Sequence, residues 1–285
     1  MAEYRKEDKM NDRILKKIHD SEIRILDEIV RVCNKHNLNY FLIGGTLLGA
    51  IRHKGFIPWD DDLDIAMPRE DYELFLSIAP KELKKDYYLD DISTNNNYSL
   101  IFAKVREKDS IIQSDTSSEK KGIWVDIFPL DYTNHYHDKY IKLKWKRIKL
   151  LKAIYIRKNK KNTMDNHFIT NLFSYIYKPF SMKKMYSKIY KLITKENYKY
   201  TKFFINYGSQ YGVLKQTHAI AKIFPLKEMV FENKKYKVPN DYKYVLTNIY
   251  GPDYMILPPK EKRITHNPSY IKFSDGEEVS FNEKI

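Results

Sequence analysis

The sequence predicts an α/β (α+β) protein in which short β-favouring runs alternate with amphipathic helical stretches before a long basic helical segment. Three observations carry that expectation. Residues 12–36 place Ile14, Ile18, Ile25, Ile29 and Val32 on one helical face. Runs at 40–43, 64–67, 87–94, 100–105 and 122–128 are short and β-favouring, with turn residues between them. From Asp138 to about Lys195 the pattern becomes helical and strongly basic.

In chain order, the first helix ends at Asn37 and Tyr40–Ile43 forms a short strand that Gly44-Gly45 interrupts. Thr46 starts a short helix through Ile51. Gly55 and Pro58 mark a turn into Trp59-Asp60-Asp61-Asp62-Leu63-Asp64-Ile65-Ala66-Met67, whose second half alternates as a strand closed by Pro68. Residues 69–79 read as a helix. Tyr87–Thr94, Leu100–Val105 and Gly122–Phe128 read as strands, with Asn95-Asn96-Asn97 as a turn. A basic helix follows at 138–157, then a polar break and two shorter helices separated near Pro179. Beyond Asn206 the elements are short and punctuated by prolines. This divides the chain into a core over 12–137, a basic aromatic-rich helical insertion over 138–205 and a C-terminal segment, 206–285, that completes the core.

With 285 residues, 42% hydrophobic and 31% charged, the chain has enough apolar material for a packed core, which excludes wholesale disorder and fibrous architectures. The lone Cys33 excludes a disulfide framework and a Cys-based zinc site, and its place in the first helix makes it a buried small hydrophobe. The N-terminus has no apolar signal sequence and no run of about 18 apolar residues follows. A cytoplasmic location is therefore expected, with peripheral contact at the inner face of the membrane as an extension of it.

The net charge of +14 implies an anionic partner, and it is unevenly placed. Between Lys139 and Ile205 there are 19 Lys and Arg against two acids, Asp165 and Glu196, so that segment carries +17 and the rest −3. The segment also holds 14 of the 41 aromatics. Three readings of it compete: an amphipathic surface on anionic lipid headgroups or a lipid-linked acceptor, a nucleic-acid surface, or a helical subdomain with aromatics inside and lysines solvated.

The informative stretch is Gly44-Gly45 followed by Asp60, Asp61, Asp62 and Asp64. On a strand Asp62 and Asp64 project from the same face, where two carboxylates repel unless a cation lies between them. Oxygen ligands of this kind favour Mg²⁺ or Mn²⁺, which can bridge to a phosphate. Gly44-Gly45 lets backbone approach phosphate, with the following helix N-terminus aimed at it. Arg52, His53 and Lys54 are further candidates for phosphate oxygens. Asp126, an acid inside the apolar run Gly122–Phe128, is the candidate third carboxylate. Taken singly, the aspartate cluster also reads as a solvated turn, and Asp126 as a helix cap or a partner for a core Arg. Their order along the chain favours a metal site.

Residues 40–75, YFLIGGTLLGAIRHKGFIPWDDDLDIAMPREDYELF, resemble the LicD phosphotransferases, bacterial relatives of fukutin and fukutin-related protein. Phe102–Arg106, Val125–Leu130 and the tail YGPDYMILPP…KRITH over 250–266 extend the resemblance. It implies a DNA polymerase β-like nucleotidyltransferase core, a mixed sheet flanked by helices with acids on neighbouring strands. It also implies Mg²⁺-dependent transfer of a phospho-alcohol, phosphocholine foremost, from a CDP-linked donor such as CDP-choline. The acceptor would be a hydroxyl of a cell-surface glycan or its lipid-linked precursor, and CMP the product. By position, Asp62 and Asp64 match the family's acidic pair, Asp60 an additional acid and Asp126 the third acid. The metal set is then Asp60, Asp62, Asp64 and Asp126, with Asp60 or Asp61 open as the additional ligand. Gly44, Gly45, Thr46, Arg52, Lys104 and His266 are candidate donor contacts. A nucleotidyltransferase that uses an NTP and releases pyrophosphate would share these acids, and a nucleic-acid-binding protein is the reading from charge alone; the resemblance implies no nucleic-acid partner.

Overall fold

The computed structural model describes residues 12–114, 121–159, 179–197, 201–263, 265 and 268–281. Helix α1 (Asp12–Lys35) buries Ile14, Ile18, Ile25, Leu26, Ile29, Val32 and Cys33 against the sheet, so the predicted apolar stripe is its packed face. Burial raises the Cys33 thiol to about 12, which leaves it an inert core residue.

β1 (Phe41–Leu42) leads into α2 (Gly44–Arg52), which starts two residues earlier than the sequence suggests. Gly44-Gly45 thus form the first turn of α2 itself, and Gly44 takes φ +56°. β2 (Asp64–Pro68) runs directly into α3 (Arg69–Glu82), then β3 (Tyr87–Asp90), β4 (Ala103–Glu107), β5 (Ile111–Ser114) and β6 (Trp124–Thr133). β3 is shorter than expected because Asp91 folds the chain into a turn, its carboxylate accepting from the Ser93 and Thr94 amides at 3.0 Å. β5 lacked a legible signal, and β6 extends five residues beyond Phe128.

The strands form a seven-stranded mixed sheet with the order β1-β2-β6-β4-β3, and β7 (Phe203–Ile205) and β8 (Thr217–Ala219) join it through β6. β2 and β6 are parallel while the other pairs are antiparallel. α4 (Lys139–Asn159) and α5 (Met182–Ile193) lie between β6 and β7 in sequence, so the chain re-enters the sheet in the last residues of the basic segment. α6 (Ile220–Ile223), the hairpin β9 (Lys227–Phe231) and β10 (Lys234–Val238), α7 (Tyr242–Tyr250), β11 (Pro268–Lys272) and β12 (Glu278–Ser280) follow. β11 pairs with β5, which sews the C-terminal segment to the first half of the chain.

Two hydrophobic clusters result. The larger packs α1, α2 and α3 on the sheet and takes in Phe231, Val238, Leu246 and Phe273 from the C-terminal segment. The smaller gathers Ile141, Ile148, Tyr155, Met185 and Ile189 of α4 and α5 around Ile101, Ile205 and Tyr207. On α4 Ile141, Lys144, Ile148, Leu151 and Tyr155 face inward, while Lys142, Lys146, Arg147 and Lys149 are exposed. Tyr155 is fully buried and Trp145 and Tyr186 pack against the cluster. These aromatics are core residues, as the helical-subdomain reading expects; Phe173, Tyr175 and Tyr177 lie outside the described residues. Among the described residues no helix is long and apolar enough to cross a membrane.

Candidate active site

The loop and strand ends beside α2 bring the acids together. Asp64 opens β2 and lies in register with Asp126 on the parallel strand β6. Lys104 on β4 is the register partner of Asp126 on its other side, and its ammonium forms an ion pair with the Asp126 carboxylate. Three neighbouring strands thus present Asp64, Asp126 and Lys104 in one row. The Lys104 ammonium also lies 4.3 Å from the centre of the Trp124 ring and 5.6 Å from that of Phe102. Burial pulls its pKa down while Asp126 opposes that shift.

Asp64 feels the opposite pressure. Burial first, then the charges of Asp62 and Asp126, hold its carboxyl well above the usual carboxylate range, with Lys104 acting the other way. Its backbone is pinned on both sides: the Asp64 amide donates to Thr46 Oγ1 at 2.8 Å and the Ile43 amide to its carbonyl at 3.2 Å. Thr46 is buried, so its hydroxyl holds Asp64 in place.

The glycine pair serves the acids directly. A Cβ at Gly45 would stand 2.6 Å from Asp60 Oδ2, and one at Gly44 3.1 Å from Asp64 Oδ2. Both carboxylates fill the space that side chains at 44 and 45 would occupy. Asp61 is buried, whereas Asp60 and Asp62 remain partly accessible.

Arg52 turns toward the tail motif. Its Nη1 donates to the Tyr254 carbonyl at 2.9 Å and the Ile256 carbonyl at 3.4 Å. Burial lowers its pKa, while Tyr250 and Asp60 act against that shift. The tail loop so anchored exposes Met255, Ile256 and Leu257 in succession. Arg263 lies 4.4 Å over the Trp59 ring, which makes Trp59 a packing surface for the same tail. His266 lies outside the described residues. His135 is half-buried and pairs with Asp138 at 2.6 Å.

Sequence reasoning missed four contributors. Glu22 of α1 is buried, its Oε2 has no hydrogen-bond partner among the described residues, and its carboxyl is held well above the usual range by burial and then by Asp62, Asp61 and Asp60. It fills the gap between Ile18 and Ile25 in the buried stripe, and an acid in that gap was the available signal. One turn earlier His19 approaches the Asp60 carbonyl at 2.7 Å and stacks on Phe56 at 3.8 Å. Tyr211 and Tyr250, in edge contact with ring centres 5.5 Å apart, feel the charges of Asp60 and Asp64, and nothing local in the sequence marks them.

The acids offer hard oxygen donors of the kind Mg²⁺ takes. Among the described residues, no three His, Cys, Asp or Glu side chains converge closely enough to hold a metal ion as they lie. Lys104 instead supplies the positive charge at Asp126.

The family model for the LicD/FKTN/FKRP nucleotidyltransferase domain matches residues 37–165, which contain all the candidate acids. The lipopolysaccharide cholinephosphotransferase LicD of Haemophilus influenzae is 32% identical over 257 residues, covering 86% of this chain and 92% of its own. The ribitol 5-phosphate transferase FKRP of human and of mouse is 46% identical over 43 residues, 15% of this chain and 9% of its own. A mixed α/β fold with this relationship over nearly its whole length defines the class: the protein is a transferase enzyme. It belongs to the LicD family.

Proposed function

We propose that the protein transfers a phospho-alcohol, phosphocholine foremost, from a CDP-linked donor such as CDP-choline to a hydroxyl of a cell-surface glycan or its lipid-linked precursor, releasing CMP. The observation that carries this is the row of Asp64, Asp126 and Lys104 on adjacent strands beside a two-glycine helix start. The similarity to a lipopolysaccharide cholinephosphotransferase supports the choice of group and acceptor. The parallel acid-bearing strands and the matched family model support a nucleotidyltransferase-like core. Residues 12–137 and 206–285 form that core in this reading, with 138–205 inserted.

Asp62, Asp64 and Asp126 would have to draw together from where they lie to hold Mg²⁺ (or Mn²⁺), joined by Asp60 or Asp61. Such an ion would supply charge neutralisation on the donor diphosphate. Thr46 fixes the Asp64 backbone, and Gly44 and Gly45 keep space for the carboxylates. Lys104, the ion-pair partner of Asp126, would hold a diphosphate oxygen of the donor and stabilise charge on the leaving CMP. Asp126 either completes the cation site or takes the proton of the acceptor hydroxyl, which attacks the phosphorus bearing the small alcohol. Arg52, oriented by the tail carbonyls, adds positive charge near Asp60, and His266 belongs to the same tail motif.

The test is to incubate protein and Mg²⁺ with CDP-choline, CDP-glycerol, CDP-ribitol and NTPs and to assay CMP and pyrophosphate. Acceptor-dependent CMP release from a CDP-alcohol is expected, lost in Asp62→Ala and in Asp64→Ala with the fold intact. Pyrophosphate release from an NTP, or near-normal turnover in either variant, overturns the proposal.

A further inference from the structure

The packed face of α1 carries a buried imidazole: His19 is 6% exposed, between the buried Ile18 and Glu22. A polar side chain in such a place needs a hydrogen-bond partner. Its Nε2 meets the Asp60 carbonyl at 2.7 Å, across 41 residues of chain. A carbonyl oxygen only accepts, so Nε2 carries the proton and donates. The ring also stacks on Phe56, with ring centres 3.8 Å apart and planes 1° from parallel.

The bond falls between two anchors of the aspartate loop. Upstream, the Phe56 amide donates to Glu232 Oε1 and the Lys54 carbonyl accepts from the Glu232 amide. Downstream, the Asp64 amide donates to Thr46 Oγ1. Between them the Asp60 amide donates to the Ile57 carbonyl at 2.9 Å, and the Asp60 carbonyl accepts from His19. The planar peptide groups on both sides of Asp60 are thus held, which leaves its side-chain torsions, with their few wells, to place the carboxylate. That carboxylate lies against the two-glycine start of α2, its Oδ2 2.6 Å from where a Cβ at Gly45 would stand. Its charge reaches Asp64 and Arg52.

Packing alone does not call for histidine at this position. Leucine or phenylalanine would extend the buried face of Ile14, Ile18 and Ile25 and cover Phe56 without the cost of burying a polar ring. What only an N–H group supplies is the bond to Asp60. Its loss takes that partner from the carbonyl and loosens the residue that carries the carboxylate.

We propose that His19 is a positioning residue of the acidic centre: through the backbone of Asp60 it sets where that carboxylate stands beside Gly45. It acts through Asp60 and not on the substrate. That Asp60 serves turnover rests on the transferase reading; that His19 sets its place does not.

Three variants of the full-length protein separate the N–H group from the ring. His19→Gln keeps an N–H donor and loses the ring, His19→Leu loses both, and His19→Phe keeps a ring on Phe56 and loses the donor. In CMP release from CDP-choline with lipopolysaccharide as acceptor, kcat should fall about tenfold in His19→Leu and His19→Phe, because a misplaced group at the reacting centre is costly. KM should stay within about threefold in both, and His19→Gln should keep kcat within about threefold of the parent. Amide exchange over residues 56–63, followed by mass spectrometry, should quicken about tenfold in His19→Leu and His19→Phe but not in His19→Gln. Parent-like turnover in His19→Phe, or a His19→Gln as slow as His19→Leu, would overturn the proposal. So would unchanged exchange in both variants without the donor, or activity losses that merely follow each variant's melting temperature. A parent that releases no CMP from any CDP-alcohol sinks the transferase reading alone, and the exchange rates then decide the role of His19.

Discussion

At the scale of single residues, the site is organised by what is missing at 44 and 45 as much as by the acids. Gly45→Ala would press a Cβ against the Asp60 carboxylate, a flexible side-chain end that can swing away. The fold should therefore persist while turnover drops about tenfold to a hundredfold, read in the CMP assay, because in the proposed reaction a displaced carboxylate would misplace the donor. Gly44→Ala adds backbone strain at φ +56°, about 1–2 kcal/mol, measurable by denaturant unfolding. Glu22 gives a pH signature. Its carboxyl titrates above the ordinary range in the fold, so between the ordinary and raised values the native state holds a proton that the unfolded chain has lost. Stability from this group therefore falls as pH rises through that window. Glu22→Gln should melt at a higher temperature than the parent near neutral pH, and the gain should vanish below about pH 4. A gain that is independent of pH would show that the residue keeps an ordinary carboxylate.

At the scale of elements, buried polar ties fasten the basic helices to the sheet. Lys144 of α4 meets Glu196 at 3.1 Å, and Glu196 accepts from Thr133 of β6 at 2.8 Å. Arg69, Asp131 and Asn197 link α3, β6 and the turn after α5. Removing one member of a buried pair leaves an uncompensated charge, so Asp131→Ala should cost about 3–5 kcal/mol in chemical denaturation. A second fastening reaches the aspartate loop. The β9–β10 hairpin turns at Glu232 and Asn233, both with positive φ, and Glu232 Oε1 accepts from the Phe56 amide at 3.2 Å. The Glu232 amide in turn donates to the Lys54 carbonyl at 3.0 Å. A hairpin more than 170 residues downstream thereby sets the path of the loop that delivers Asp60 to Asp62.

For the whole molecule, the +14 separates into an acidic centre on the sheet and a basic face on α4. Lys142, Lys146, Arg147 and Lys149 point outward, which supports peripheral contact with an anionic membrane surface as a proposal. Vesicles containing phosphatidylglycerol should sediment the protein at low ionic strength, and the association should fade by about 0.5 M salt as screening shortens. Lys142→Glu/Lys146→Glu/Lys149→Glu should abolish it. Association that persists in high salt would point instead to apolar insertion, for which exposed Met255, Ile256 and Leu257 are the available residues.

The sequence by itself determined what depends on local order along the chain. The helical period placed α1, the glycines and aspartates marked a helix start two residues late and a strand that in fact begins at Asp64 with Asp62 in the loop before it, and the density of lysine marked the basic helices. These signals are local because period, turn chemistry and charge are read over a few residues. Tertiary structure alone decided which strands became neighbours. It set β6 parallel to β2 so that Asp126 faces Asp64, and laid β4 beside β6 so that Lys104 pairs with Asp126. It also turned Glu22 toward the acids, committed Thr46 to the Asp64 backbone, and joined Arg69 of α3 to Asp131 of β6. Each of these joins residues far apart in the chain, where burial and strand register, rather than neighbouring sequence, select the partner.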